Sequence, residues 1–480
     1  MKPADSLWAA LTSSVGARLA MAVLNYGLFW QLSHRLEAAQ LGGFSLLMNL
    51  FYMLQGLPLL GLSAPLARRA ATDPQQLPLE FSNAWLFAMP VALLLAVGTG
   101  VVGQVGYPQA LHAAFWLLAA SLLPTAWVLV SETALLGSER MSLVARVQCL
   151  ESFGRVALMG LAVWFGWGLS GLFLIFLALR CLTAALYAWN PAVPRMQWAL
   201  VSRTLWLRNW REVPVFMGIA LLSVTAARID LIVLAKLDGL AAAGVYAAAA
   251  RLYEAALMLP TIAAMVMLPA LSRLFVSDEP QFRRMLAQAL RWSLAGGLAV
   301  ALLVAALAPW LIGLLYAAHL QEAALLLRCL IFGAVLMTMD QILSSTMTAA
   351  RAQHQDLLAM GLGVVVLLVV LAVLIPGYGP LGAAVAVPLG LLLRVLWRLR
   401  WASHTLGLAG LRLALLRTAL AGCLGVLALV SCAGLGVWAS AALALLAYLL
   451  SAQLLGVIPA QAWQQARAHL SRLVLRQASH

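Results

Sequence analysis

The chain has 480 residues, of which 64% are hydrophobic and 10% charged. A water-soluble protein carries about 25% charged residues, so a soluble enzyme is excluded, and no stretch between the apolar runs is long enough to fold as a separate soluble domain. The net charge of +14 does not point to nucleic acid: the arginines sit in short segments between apolar runs, which is the pattern of membrane orientation, and they form no basic face.

Apolar runs of about 20 residues, the length that crosses a bilayer core as a helix, recur from end to end. They predict transmembrane helices at 9–32, 42–66, 82–104, 111–136, 142–165, 168–189, 213–236, 243–270, 289–316, 323–349, 356–376, 379–400, 413–432 and 436–458. The chain therefore reads as an all-α polytopic membrane protein with about 14 spans. The first run holds Arg18 and Asn25 and lacks a small-residue cleavage pattern, so it is expected to be retained rather than removed as a signal. Tyr107-Pro108, Asn190-Pro191 and Pro376-Gly377-Tyr378-Gly379-Pro380 supply turn signals at the breaks.

Lys and Arg crowd the connections on one side, among them Arg68, Arg69, Arg195, Arg203, Arg273, Arg283, Arg284, Arg398 and Arg400, whereas the other side has Arg35 and Lys236. The basic side faces the cytoplasm, which places both termini there. The connection 191–212 carries Trp198, Trp206 and Trp210 among arginines and reads as an amphipathic interfacial linker, as does the basic tail 460–480. The five cysteines lie inside apolar runs at spacings that fit neither a disulfide framework nor a metal site.

A faint duplication is visible. Residues 35–44 (Arg-Leu-Glu-Ala-Ala-Gln-Leu-Gly-Gly-Phe) and 236–245 (Lys-Leu-Asp-Gly-Leu-Ala-Ala-Ala-Gly-Val) repeat cation, Leu, acid and Gly at an offset of 201, which is 244 minus 43. Six helices return the chain to the same side, so the two blocks are expected to be parallel repeats, with binding at their interface. That gives an N-terminal six-helix lobe at 1–190, a C-terminal lobe at 213–402, and additional helices 13 and 14 at 403–459.

Ionisable side chains at bilayer depth are functional or paired. They are Arg18, Glu132, Glu151, Arg155, Arg180, Arg228, Asp230, Arg251, Glu254, Arg328 and Asp340. Glu151 and Arg155, four apart, and Arg251 and Glu254, three apart, share a helical face and are positioned to pair. Arg228 and Asp230 face different ways and seek partners on other helices. Arg180 and Arg328 are expected to snorkel toward an interface.

The segment Arg228-Ile-Asp-Leu-Ile-Val-Leu-Ala, Gly244-Val-Tyr-Ala-Ala-Ala-Ala-Arg251-Leu-Tyr and Met267-Leu-Pro-Ala-Leu-Ser-Arg273 resembles the seventh and eighth helices of the polysaccharide transporter, or oligosaccharide (O-antigen-type) flippase, family. Leu41-Gly-Gly-Phe-Ser-Leu resembles its second helix, and Glu132-Thr-Ala-Leu-Leu-Gly-Ser-Glu-Arg140 the end of its fourth. The motifs are loose and consist mainly of Gly, Pro and small residues.

The resemblance implies the multidrug/oligosaccharidyl-lipid/polysaccharide exporter superfamily: two six-helix lobes in a V around a central cavity, flipping a lipid-linked oligosaccharide across a bacterial inner membrane. The lipid II flippase and the drug exporters are alternatives of the same fold. Polymerases or glycosyltransferases of the same pathway are implied partners beside membrane lipids. No cofactor or metal is expected; any coupling is by proton or sodium. A polyprenyl pyrophosphate crossing an apolar slab needs cations in place of water, and arginine binds phosphate through two donors. Arg18, Arg228, Arg251 and Arg155 are the substrate-binding candidates, and Asp230, Asp340 and Glu254 the ion-coupling candidates. Short outer loops without a catalytic constellation argue against an enzyme.

Overall fold

The computed structural model describes residues 23–59, 62–138, 140–258, 267, 271–275, 277–408 and 410–457. Arg18 and the tail 460–480 lie outside the described residues. Every regular element among the described residues is helical, and eight helices are long and apolar enough to cross a membrane. The chain divides into two compact units, Met1–Arg251 with Leu315–Leu320 and Leu371–Ala383, and Leu252–Leu314 with Gln321–Val370 and Ala384–His480, of which only the residues just given are described.

The first unit holds α1 (23–35), α2 (Ala38–Leu54), the short α3 (Ser63–Thr72), α4 (Leu77–Gly106), α5 (Gln109–Gly137), α6 (Met141–Trp164), α7 (Leu169–Trp189), α8 (Arg203–Leu237) and most of α9 (Leu240–Ala256). The single long helix expected at 42–66 is broken: α2 stops at Leu54, and a 3-10 turn, Leu57–Leu59, precedes α3. Pro58 has no N–H to continue the helical ladder, and Gly56, two residues before it, favours the break. Pro108 caps α5 in extended conformation, so Tyr107-Pro108 alone connects α4 to α5. Gly100 and Gly103 of α4 make room there, because a Cβ at either would overlap the ring of Trp116 or Phe115. Phe81, Phe87, Leu135 and Tyr187 belong to the buried core of this unit.

Residues 203–212 are the first turns of α8, which runs unbroken to Leu237, so the linker expected at 191–212 is not one separate helix. Its 3-10 turn, Trp198–Leu200, is tied to α4: Asn83 Nδ2 donates to the Leu200 carbonyl at 3.0 Å, the Ser202 N–H donates to Asn83 Oδ1 at 2.9 Å, and the Gln197 N–H to Ser82 Oγ at 3.0 Å.

The two segments compared above, 35–44 and 236–245, meet at the start of α2 and α9. A Cβ on Gly42 would overlap the Leu240 carbonyl oxygen, and a Cβ on Gly244 would overlap that of Ala38. The contact is reciprocal, and its partners are 202 residues apart (244 minus 42, 240 minus 38).

The second unit holds α10 (Glu279–Leu315), α11 (Ala323–Ala349), α12 (Gln353–Thr405), α13 (Leu411–Ser431) and α14 (Val437–Leu454), apart from the turns of α10 and α12 that join the first. Helix α10 begins ten residues before the apolar run at 289, because Asp278 Oδ1 accepts the Gln281 N–H at 2.9 Å and Arg283 pairs with Glu279. Helix α12 joins two of the expected spans across a bend at Gly379, whose φ of 53° suits glycine. Helix α14 is fixed to α10 by Tyr448 Oη, which donates to the Ala295 carbonyl at 2.7 Å.

Candidate functional site: a guanidinium cluster around Glu151 and Tyr52

Helix α6 places Glu151 and Arg155 one turn apart on one face, and α7 brings Arg180 and Thr183 against them. Arg155 Nη2 lies 3.2 Å from Glu151 Oε1, and Arg180 Nη1 lies 3.3 Å from Glu151 Oε2. Thr183 Oγ1 also donates to Oε2, at 3.1 Å. Glu151, Arg155 and Arg180 are 7%, 7% and 8% exposed, so the ions are held by one another and by aromatic faces rather than by water. The Arg180 guanidinium lies 5.0 Å from the Phe51 ring centroid and 5.6 Å from that of Phe176, a favourable arrangement for a desolvated cation. Arg180 therefore does not snorkel; a carboxylate 29 residues away holds it inside.

The other arm of Arg155 points to α2, where Nη1 donates to Tyr52 Oη at 3.4 Å. Arg228 of α8 reaches the same residue: its guanidinium sits 5.2 Å from the Tyr52 ring centroid, and Nη1 donates to Asn49 Oδ1 at 3.3 Å. Two of the sequence-predicted substrate arginines, Arg155 and Arg228, thus converge on Tyr52, which is half-buried like Arg228. The Nε atoms of Arg155 and Arg180 are buried without a hydrogen-bond partner. In direct contact, two guanidiniums share one carboxylate. Glu132, on α5, accepts from Gln148 at 2.9 Å and from Tyr187 at 3.1 Å, and makes no ion pair among the described residues.

The remaining candidates lie elsewhere. Arg251 is half-buried, 5.4 Å above the Phe29 ring centroid. Asp230 accepts a 2.5 Å hydrogen bond from Tyr246 Oη, which meets the expectation that its partner is on another helix. Glu254 is half-buried on α9. Arg328, half-buried, donates through Nε to the Ala305 carbonyl of α10 at 3.0 Å.

Asp340 belongs to a second buried network. Arg394 and Arg398 of α12 both pair with its carboxylate, Arg394 Nε at 2.9 Å. Arg398 Nη2 also lies 2.8 Å from Asp356 Oδ1, and Ser344 Oγ donates to Asp356 Oδ2 at 3.0 Å. Arg398 is 1% exposed, which corrects its placement in a cytoplasmic connection. Gly363 lets the Arg394 stem pass, since a Cβ there would meet its Cδ at 3.1 Å. Arg394 was missed at the level of sequence, although its spacing of four from Arg398 on one helix was a usable signal.

The fold of this chain is similar to that of solved MOP superfamily transporters. The structure is similar to the lipid II flippase MurJ in an inward closed conformation, at a TM-score of 0.71 and 12% identity, covering 92% of this chain and 98% of that one. It is also similar to an inward-facing multidrug resistance MATE transporter of the MOP superfamily, at 0.61 and 14%, covering 81% and 94%. A Pyrococcus furiosus MOP transporter, described as having reversed binding-pocket polarity, aligns at 0.53 and 14%, covering 83% and 93%. No curated protein matches the sequence. The family model described as polysaccharide biosynthesis protein matches residues 32–325, and the chain belongs to that family.

Proposed function

We propose that the protein translocates a lipid-linked oligosaccharide, carried on a polyprenyl pyrophosphate, from the cytoplasmic to the periplasmic leaflet by alternating access, in O-antigen, capsule or exopolysaccharide assembly. The observation that carries this reading is the convergence of Arg155 and Arg228 on Tyr52, beside a carboxylate that two guanidiniums share. A diphosphate diester carries a negative charge on each phosphorus. Forked guanidiniums at membrane depth replace the water it sheds. A drug exporter that selects cations would want the opposite sign at such a place.

In this reading Arg18 and Arg251 extend the cationic lining, and Asp230 and Glu254 are the carboxylates available for proton or sodium coupling. Asp340 is less suited to coupling, since loading an ion there would disturb two arginine pairs. The six-helix lobes move against one another, both termini lie in the cytoplasm of a bacterium, and the protein acts as a carrier rather than a catalyst. Polymerases or glycosyltransferases of the same pathway are its natural neighbours. Lipid II is the second reading, favoured by the similarity of fold to MurJ.

The test is a deletion strain in which lipid-linked glycan is assayed in each leaflet. Wild-type protein should clear the inner-leaflet intermediate, whereas Arg228→Ala and Arg155→Ala, at equal abundance, should leave it there. Full clearance by both variants would remove the anion-binding reading. Rescue of a strain lacking its lipid II flippase, without effect on glycan export, would select the second reading.

A further inference from the structure

Glu151 stands where an anion would be expected to bind. It is buried, it bridges Arg155 and Arg180, and its Oε2 takes a third donor from Thr183. Without it, two guanidiniums would be stranded in an apolar surround, a severe desolvation penalty. Yet Arg155 is held from both ends: one nitrogen is on Glu151, and the other reaches Tyr52, where Arg228 also arrives. Among the described residues, Arg155 therefore touches both the internal carboxylate and Tyr52. Glu132, the other carboxylate near Arg180, faces the neutral donors Gln148 and Tyr187 and does not compete for Arg155.

We propose that Glu151 is a resident counter-ion that exchanges with the substrate's diphosphate: it neutralises Arg155 in the empty protein, gives it up to the arriving phosphates, and reclaims it to expel them. The inference rests on the anion-binding reading above. On arrival, Arg155 leaves Glu151 and joins Arg228 on the diphosphate, while Arg180 and Thr183 keep the carboxylate partnered. On departure the 3.2 Å pair closes again. The exchange keeps the cation neutralised throughout the cycle, so neither the empty nor the loaded state buries a bare charge. It also holds affinity down, which a carrier that must release its cargo requires.

The test uses full-length protein in lipid nanodiscs, with inorganic pyrophosphate as the probe, titrated by calorimetry. Glu151→Gln should bind pyrophosphate on the order of tenfold more tightly than wild type, because a competing charge-assisted contact is gone. Glu151→Asp, too short to reach both arginines, should fall between, and it carries the test if Glu151→Gln does not accumulate. Arg228→Ala should bind more weakly than wild type. Exchange also predicts that Glu151→Gln melts lower than wild type and that pyrophosphate restores most of the loss. A purely structural Glu151 would give the lower melting point with no gain in affinity. If Arg228→Ala weakens binding while neither Glu151 variant strengthens it, exchange is wrong and the anion site stands. If neither wild type nor any Glu151 variant binds pyrophosphate, the site itself is wrong and the exchange falls with it.

Discussion

The two buried ion networks use the same chemistry to different ends. In the first unit, Arg155 and Arg180 share Glu151, and Arg155 extends toward Tyr52. In the second, Arg394 and Arg398 meet Asp340 and Asp356, two cations for two carboxylates. The second matches its charges one for one and ties α11 to both halves of α12, although Arg398 Nε, like Nε of Arg155 and Arg180, is buried without a hydrogen-bond partner. The first has an arm left over. A buried arginine in a membrane protein is thus not in itself a binding residue; what matters is whether its charge is fully used by its neighbours.

Breaking the second network should have the largest effect. Asp340→Asn leaves two guanidiniums short of a partner and should lower stability by about 3–5 kcal/mol, read as a lower melting temperature in detergent that pyrophosphate does not restore. A stable Asp340→Asn protein that no longer exports glycan would instead return Asp340 to ion coupling. Arg155→Ala should split the two properties the other way. Glu151 retains Arg180 and Thr183, so stability should fall by about 1–2 kcal/mol, while pyrophosphate affinity drops on the order of 10-fold to 100-fold.

Removing charges in pairs should cost less than removing one partner alone. Asp340→Leu with Arg394→Leu should melt closer to wild type than Asp340→Leu alone, since a buried pair replaced together leaves fewer stranded charges. The smallest effect is expected at Glu132, whose partners are neutral. Glu132→Gln should change stability by less than about 1 kcal/mol and leave pyrophosphate binding within twofold, measured by the same titration.

Much of this was legible in the sequence, and the rest was hidden for definable reasons. Apolar run length sets the all-helical membrane class. The Glu151–Arg155 pair follows from a spacing of four. Arg180 meeting Glu151 does not, because contacts between helices leave no periodic trace. Tyr52 is one aromatic among many in an apolar helix, and only its neighbours distinguish it. Arg398 was misplaced because the apolar run fades near it; α12 instead continues to Thr405 with the cation turned inward. The apolar run 42–66 reads as one helix, whereas Gly56 and Pro58, two residues apart, follow the end of α2 at Leu54.

The mutual overlap of Gly42 and Gly244 has a consequence for what those two positions can hold. Each glycine abuts a main-chain oxygen of the other helix, and a backbone oxygen cannot swing aside as a side-chain tip can. A single methyl at either place would prise the start of α2 from the start of α9, so one crossing bars two sites, 202 residues apart, from any larger residue.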